Sequence, residues 1–168
     1  MTLNEFNLLS PKQAQSELLK CCGSARWAAE VTAARPFENV DRLSAKADRI
    51  WSSLSTEDWL EAFRAHPQIG EKKAAAQQSE QAQTWSAQEQ SRVANVAIDI
   101  KAALTDGNRQ YQQRFGFIFI ICATGKTAEE MLENLNLRLQ NDRETELRTA
   151  AEEQRKITRL RLEKLLTR

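Results

Sequence analysis

Hydrophobic residues along this chain recur mainly at helical spacing, with polar residues between them. Ala47, Ile50, Trp51 and Leu54 follow an i, i+3, i+4, i+7 pattern, which places them on one face of a helix. A second such face is formed by Val93, Val96, Ala97, Ile100 and Leu104. A further helix is predicted through Met131, Leu135 and Leu139, and a charged terminal helix contains Leu147, Ile157, Leu160 and Leu165. The pattern predicts a chain built from amphipathic helices.

Helix-start signals precede several of these segments. Ser10-Pro11 places a capping serine before a proline at the first helical position, and Ser24 and Thr127 are further capping residues. The segment 86–89 has the capping-box pattern, a serine followed three residues later by a glutamate. It predicts a helix that begins there and ends near Asp106-Gly107.

The most apolar run of the chain is the segment 114–123. Its residue types favour a strand, but no second strand-like segment is present to pair with it. It is therefore read as a strand, a buried extended connection or part of a core helix. The chain has only five glycines and three prolines and is dominated by helix-forming residues. We predict an all-α fold, a single multihelical domain over residues 1–168 with one buried extended apolar segment.

The charge of the chain argues against several classes of partner. Its 24 basic and 23 acidic residues give a net charge of +1, so no overall field attracts nucleic acid or an anionic membrane. No apolar stretch approaches the roughly 20 residues that span a bilayer, and the segment 1–5 lacks the features of a secretory signal. We expect a cytoplasmic protein with no membrane and no nucleic-acid partner.

The cysteines argue against a disulfide framework and against a metal site. Cys21, Cys22 and Cys122 are odd in number and the first two are adjacent, so they are predicted to be reduced thiols. The chain has one histidine and no spaced cysteine pairs, and it carries no nucleotide-binding motif. We predict that no metal and no cofactor is bound.

The single histidine, His66, is the first candidate for acid/base chemistry, because its ordinary pKa lies near neutrality. Pro67 follows it, so a helix is expected to end there and to leave the ring at a fixed break. The alternative is a histidine at a helix C-terminus or in a packed core, and the His-Pro step alone favours that reading. The segment 71–83 is polar and alanine-rich, which indicates an exposed helix or a mobile loop and would suit a lid.

Two further groups are ambiguous on spacing alone. Ser86, Glu89 and Gln90 would share the first turn of their helix, but mutual capping explains the first two completely. Cys122 with His66 would resemble the nucleophile and base of a thiol hydrolase. Burial in an apolar run raises a thiol pKa and reduces its reactivity, so core packing is favoured for Cys122. A non-catalytic helical adaptor, which needs no polar pocket, is a further alternative.

Five sequence pieces, spread in order over nearly the whole chain, carry a family resemblance. They are Arg35-Pro36-Phe37, His66-Pro67, the segment 86–90, the segment 108–117 and the segment 157–162. On these pieces the sequence closely resembles 2-oxo-4-hydroxy-4-carboxy-5-ureidoimidazoline (OHCU) decarboxylase, the last enzyme of the urate-to-allantoin route. The resemblance implies an all-helical, cofactor-free and usually homodimeric carboxy-lyase.

The same resemblance implies roles for individual residues. His66 corresponds to the catalytic acid/base, and Glu89 belongs with it in the reacting site. The resemblance places further residues against the substrate: Pro67, Ser86, Ala87, Gln88, Gln90, Phe119, Ile120, Ile121, Cys122, Ala123 and Arg161. The segment 119–123 is expected to offer mainly backbone contacts, and Arg161 is expected to bind the substrate carboxylate.

Overall fold

A computed structural model describes residues 1–68, 80–89 and 98–166. Within these residues the secondary structure consists of helices and contains no strand. The helices are α1 (Leu3–Leu8), α2 (Pro11–Cys21), α3 (Ala25–Ala33), α4 (Val40–Ser53), α5 (Thr56–Arg64), α6 (Glu80–Glu89), α7 (Ile98–Phe115), α8 (Ala128–Arg138) and α9 (Arg143–Leu166). The predicted all-α class is confirmed. In the described part of the chain, no helix is both long enough and apolar enough to cross a membrane.

The chain divides into two compact units. The first comprises Met1–Ala62 with Arg155–Arg168, and the second comprises Phe63–Gln154. Helices α5 and α9 each contribute residues to both units. The single domain over residues 1–168 stays a prediction.

The first unit is built on the packing of α2 against α3 and of α3 against α4. The predicted stripe on α4 is confirmed, because Ala47, Ile50 and Trp51 are buried there. Trp27 of α3 is completely buried, and its indole N–H donates to the Ala47 carbonyl at 3.1 Å. A buried tryptophan needs such an acceptor, because an unpaired indole N–H would be costly inside the core.

Three predicted helix starts are confirmed by their hydrogen bonds. The Ser10 hydroxyl accepts from the Gln13 backbone N–H at 3.4 Å, and the Gln13 side chain accepts from the Ser10 N–H at 3.1 Å. Ser24 accepts from the Trp27 N–H at 3.3 Å, and Thr127 begins α8 with a reciprocal capping box. Each cap satisfies backbone donors that the first helical turn leaves unpaired.

The helix start predicted at Ser86 is wrong. Helix α6 begins at Glu80, and Ser86 lies in its interior with its side chain buried. Ala82, Trp85 and Ser86, at i, i+3 and i+4, form a buried stripe. The glutamate, glutamine and alanine residues before Ser86 favour a helix, and the stripe holds it in place, so the capping-box motif falls inside a helix.

The lid prediction falls partly outside the described residues. Of the segment 71–83, residues 80–83 form the first turn of α6. Residues 71–79 are not among the described residues, and neither are Val93, Val96 and Ala97 of the predicted apolar stripe. The role of this segment stays a prediction.

The helix end predicted at Asp106-Gly107 is wrong, because α7 continues to Phe115. Gly107 is buried on the side of α7 that packs against α8. A Cβ atom on this residue would lie 2.6 Å from Cδ2 of Leu135, well inside van der Waals contact. The glycine therefore marks a close approach of two helices rather than the end of one.

Gly107→Ala is expected to lower the free energy of unfolding by about 1 kcal/mol, because overpacking costs about 1 to 3 kcal/mol and outweighs the gain of about 1 kcal/mol in helix propensity. Urea unfolding of purified protein measures the difference. In a Leu135→Ala background the same change is expected to be stabilising, since the contact is gone. A stabilising effect in the wild-type background would contradict this account.

The apolar run after α7 is a buried connection with neither helix nor strand. It leaves α7 at Gly116, where φ is 81°, and turns at Gly125, where φ is 82°, two positions that only glycine adopts without strain. Phe117 and the residues 119–123 are buried. Arg114 and Phe115 belong to α7, so the predicted buried extended segment is confirmed for residues 116–123, where the strand and core-helix alternatives are excluded.

Candidate active site

His66 lies just beyond the end of α5, as the His-Pro step predicts. Its backbone N–H donates to the Phe63 carbonyl at 3.1 Å, and Pro67 follows. The side chain is half-buried. Phe63 is completely buried, and its ring packs against Phe117 with the centroids 5.5 Å apart. The end of α5 is thereby fixed against the apolar connection.

The His66 ring is held by a residue of α9 that the sequence analysis did not identify. The Nε2 atom of His66 lies 2.6 Å from Oε1 of Gln154. Gln154 is completely buried, so its amide has a defined place. The contact joins residues 88 positions apart in the sequence. The histidine ring is therefore oriented by a fixed partner.

The neighbouring residue on α9 holds the apolar connection. The Glu153 carboxylate accepts from the Cys122 backbone N–H at 2.7 Å. Charge-assisted hydrogen bonds of this kind are about twice as strong as neutral ones. Two successive residues of α9 thus bind His66 and the segment 119–123, and both contacts lie within the second unit.

The connection is also held by a buried ionic cluster, which we call the Arg138 cluster: Arg138, Glu146, Tyr111 and Asn141. Arg138 Nη1 donates to the Ile120 carbonyl at 2.6 Å, and its Nε donates to Glu146 at 2.6 Å. Asn141 donates to the other Glu146 oxygen at 3.0 Å, and the Tyr111 hydroxyl also donates to this carboxylate. Burial raises the pKa of Tyr111 far above its ordinary value, so the hydroxyl stays protonated and remains a donor.

The predicted substrate residues in the segment 119–123 have their side chains in the core. Phe119, Ile120, Ile121, Cys122 and Ala123 are all buried, and the Arg138 guanidinium lies 4.5 Å above the Phe119 ring. Apolar side chains that fill the core have little to offer a polar ligand. The expected contribution of this segment through its backbone stays a prediction.

The predicted site residues 86–90 lie at the end of α6, as far as they are described. Ser86 is buried, whereas Ala87 and Gln88 are exposed. Glu89 is the last residue of α6, and Gln90 lies outside the described residues. Their place in the same site as His66 stays a prediction.

Arg161 lies in the first unit, on the part of α9 that follows Arg155. Its side chain is buried, and its positive charge acts on the thiols of Cys21 and Cys22. Burial raises the pKa of Cys22 to about 11, and the charge of Arg161 opposes this without reversing it. The role of Arg161 in binding a substrate carboxylate stays a prediction.

The cysteine prediction is confirmed. Cys21, Cys22 and Cys122 are free thiols, and all three are buried. Among residues 1–68, 80–89 and 98–166, no group of three or more histidine, cysteine, aspartate or glutamate side chains is arranged to hold a metal ion.

A cavity of about 570 Å³ lies along the polar face of α7. Its lining includes Gln68, Lys101, Arg109 and Gln112, and the side chains of Gln68 and Gln112 are hydrogen-bonded to each other. None of the predicted site residues that the structure describes lines it. We therefore do not assign the predicted substrate site to this cavity.

Known proteins are similar to this chain in both sequence and fold. A family model described as OHCU decarboxylase matches residues 7–163. The uric acid degradation bifunctional protein TTL of Arabidopsis thaliana is 37% identical over 153 residues, which cover 91% of this chain and 47% of that protein. The bifunctional protein PucL of Bacillus subtilis is 29% identical, over 99% of this chain and 33% of that protein. The chain thus spans less than half the length of these two relatives.

Other relatives are matched over most of their length. The 2-oxo-4-hydroxy-4-carboxy-5-ureidoimidazoline decarboxylase of Amia calva is 34% identical over 143 residues, covering 83% of this chain and 79% of that protein. A crystal structure of an OHCU decarboxylase in the presence of (S)-allantoin superposes with a TM-score of 0.78 and 38% identity. The superposition covers 90% of this chain and 98% of the chain in the crystal structure. From the matched residues 7–163 and these relatives, we conclude that the chain belongs to the OHCU decarboxylase family.

Proposed function

We propose that this chain is a carboxy-lyase that converts OHCU into (S)-allantoin and CO₂ without a cofactor, with His66 as the general acid/base. The observation that carries the proposal is the placement of His66. In a chain of this decarboxylase family, the only imidazole stands at a helix end and is oriented by the buried Gln154 at 2.6 Å. In line with the resemblance, we also expect a homodimer located in the cytoplasm.

The reaction does not require an electron sink from a cofactor. When CO₂ leaves, the electron pair of the broken C–C bond moves through the imidazoline ring onto the nitrogen that is doubly bonded to the ureido-bearing carbon, and this nitrogen takes up a proton from the solvent. The hydroxyl on the former carboxyl-bearing carbon loses its proton and becomes a carbonyl, while the carbon that bears the ureido group gains a proton. The protein then has to orient the substrate and assist these proton transfers.

His66 suits the proton transfer because its ordinary pKa lies near neutrality. A neutral imidazole can take the hydroxyl proton, and the resulting imidazolium can donate to carbon on one face of the ring. Such acid/base catalysis is typically worth about 10² to 10⁴ in rate. Delivery on one face would also set the configuration of the product.

The segment 119–123 supplies the rigid wall that such a mechanism needs. Its backbone is bound at the Ile120 carbonyl by Arg138 and at the Cys122 N–H by Glu153. A wall fixed at two points cannot readjust during the reaction, so a substrate held against it keeps one orientation. Glu89 and Gln90 are proposed to bind the ureido and ring N–H groups.

The thiol-hydrolase alternative is less well supported. Cys122 is buried in an apolar segment, whereas reactive cysteines lie in partly exposed, electropositive surroundings. A non-catalytic adaptor gives no reason for the Gln154 contact with the only histidine.

The proposal is tested by following the ultraviolet absorbance of freshly generated OHCU, with and without protein that has been dialysed against EDTA. We expect decay well above the spontaneous rate, at the same specific activity before and after dialysis. Decay at the spontaneous rate would refute the proposed activity. Activity lost on dialysis and restored by metal would refute the cofactor-free mechanism.

Glu89→Gln is expected to lower kcat/KM about tenfold or more at an unchanged melting temperature. A carboxylate that accepts hydrogen bonds from the substrate would become partly a donor, and the resulting mismatch costs about 1 to 3 kcal/mol. Stability should not change, because α6 begins at Glu80 and residues 86–89 do not cap its start.

Thr84→Ala is the matched control for Glu89→Gln, because Thr84 is an exposed residue of the same helix. Its kinetics should equal those of the wild type. If Glu89→Gln shows wild-type kinetics as well, Glu89 has no part in the site.

A further inference from the structure

We propose that Gln154 is a positioning residue that fixes the His66 tautomer with its proton on Nε2, which makes Nδ1 the nitrogen that exchanges a proton with the substrate. This inference rests on the proposed function. It assigns a role to a residue of α9 that does not itself touch the substrate.

The tautomer follows from the atoms in contact. The Nε2 atom of His66 faces the Oε1 atom of Gln154 at 2.6 Å. An amide oxygen only accepts hydrogen bonds, so Nε2 must carry the hydrogen. A neutral imidazole has one N–H group, and the lone pair that can take up a proton is then on Nδ1.

Gln154 is well placed to impose this choice. It is completely buried near the middle of α9, where a hydrogen bond is stronger than in water and an unpaired polar atom is costly. Its neighbour Glu153 is bound to the Cys122 N–H, which further restricts this turn of α9. The His66 ring and the segment 119–123 are thus held by two adjacent residues of α9, Gln154 and Glu153.

A neutral partner also suits a group that must change its charge. When Nδ1 gains a proton, Nε2 still donates to the amide oxygen, so the same hydrogen bond persists in both protonation states. A carboxylate in this place would favour the imidazolium and raise the pKa of His66. The amide orients the ring without adding a full charge.

The tautomer is directly measurable because the chain contains one histidine. Tag-free protein labelled with ¹⁵N only in histidine gives two ring nitrogen signals, and their couplings to the two ring carbon-bound protons distinguish Nδ1 from Nε2. In the substrate-free wild type above the His66 pKa, we expect Nε2 protonated and Nδ1 unprotonated. A protonated Nδ1, or an even mixture of tautomers, would overturn the proposal.

Two variants separate positioning from a general structural role. Gln154→Met keeps the length of the side chain but removes the acceptor, and it should lose the tautomer preference and lower kcat about tenfold or more with a smaller change in KM. Gln154→Glu retains an acceptor, so it should keep the Nε2–H tautomer while the pKa of His66 and the rising limb of the pH–rate profile move upward.

The outcomes remain decisive if one variant fails to fold. The wild-type spectrum and the Gln154→Glu pH profile then test the proposal, and a wild-type tautomer with wild-type kcat in folded Gln154→Met would refute it. Failure of the proposed function looks different, because the spectra require no substrate. In that case the wild type shows the Nε2–H tautomer but does not accelerate OHCU decay.

Discussion

His66→Asn is expected to reduce the enzyme-dependent decay of OHCU by about 10² to 10⁴ while the helical circular dichroism stays that of the wild type. Asparagine removes the titrating imidazole, and the chain has no second histidine to replace it. Any residual activity should lack a pH dependence from imidazole between about pH 5 and 8. The measurement is kcat over this pH range on freshly generated substrate.

Arg64→Gln is the matched control, because Arg64 is an exposed residue near the same helix end and not a predicted site residue. Its kcat should stay near the wild-type value. A His66→Asn variant with wild-type kcat would mean that His66 is structural and that the acid/base mechanism is wrong.

Glu146→Leu is expected to lower the free energy of unfolding by about 3 to 5 kcal/mol, because it leaves the Arg138 guanidinium buried without its counter-charge. Glu146 is completely buried and Arg138 is nearly so. Glu146 also accepts from Tyr111 and Asn141, and both donors would lose a partner. Urea unfolding followed by circular dichroism measures the loss.

The chain offers two controls for this prediction. Glu144→Ala removes the exposed ion pair with Arg148 on the same helix and should cost less than about 1 kcal/mol. The double variant Arg138→Met/Glu146→Leu removes both buried charges and should be more stable than Glu146→Leu alone. A Glu146→Leu loss no larger than that of Glu144→Ala would contradict the role of the Arg138 cluster.

The sequence predicted those parts of the fold that depend on local chemistry. The stripe of α4 and the caps at Ser10, Ser24 and Thr127 each require only neighbouring residues. The His66-Pro67 break is of the same kind, since the proline acts on the residue directly before it.

The two errors arose where tertiary packing overrides a local signal. Ser86 matches a capping motif, but the buried stripe that it forms with Ala82 and Trp85 places it inside α6. Gly107 is a typical helix-ending residue, but here it permits the contact with Leu135 of α8. Neither partner surface is visible in a local window of sequence.

The partners of the candidate site differ in how far the sequence could have revealed them. Gln154 is a polar residue within a buried stripe of α9 that includes Ala150, Ala151 and Ile157, and a polar residue at such a position signals a specific partner. The pairing of Arg138 with Glu146 across the turn between α8 and α9 carries no comparable periodic signal.

The most direct test of the central claim is the configuration of the allantoin that forms when OHCU decays in the presence of catalytic amounts of this chain. Spontaneous protonation from water reaches either face of the ring, whereas a single oriented imidazole delivers the proton to one. Circular dichroism of the product solution should therefore show (S)-allantoin in large enantiomeric excess, formed faster than spontaneous decay. Racemic allantoin formed at the spontaneous rate would contradict the account.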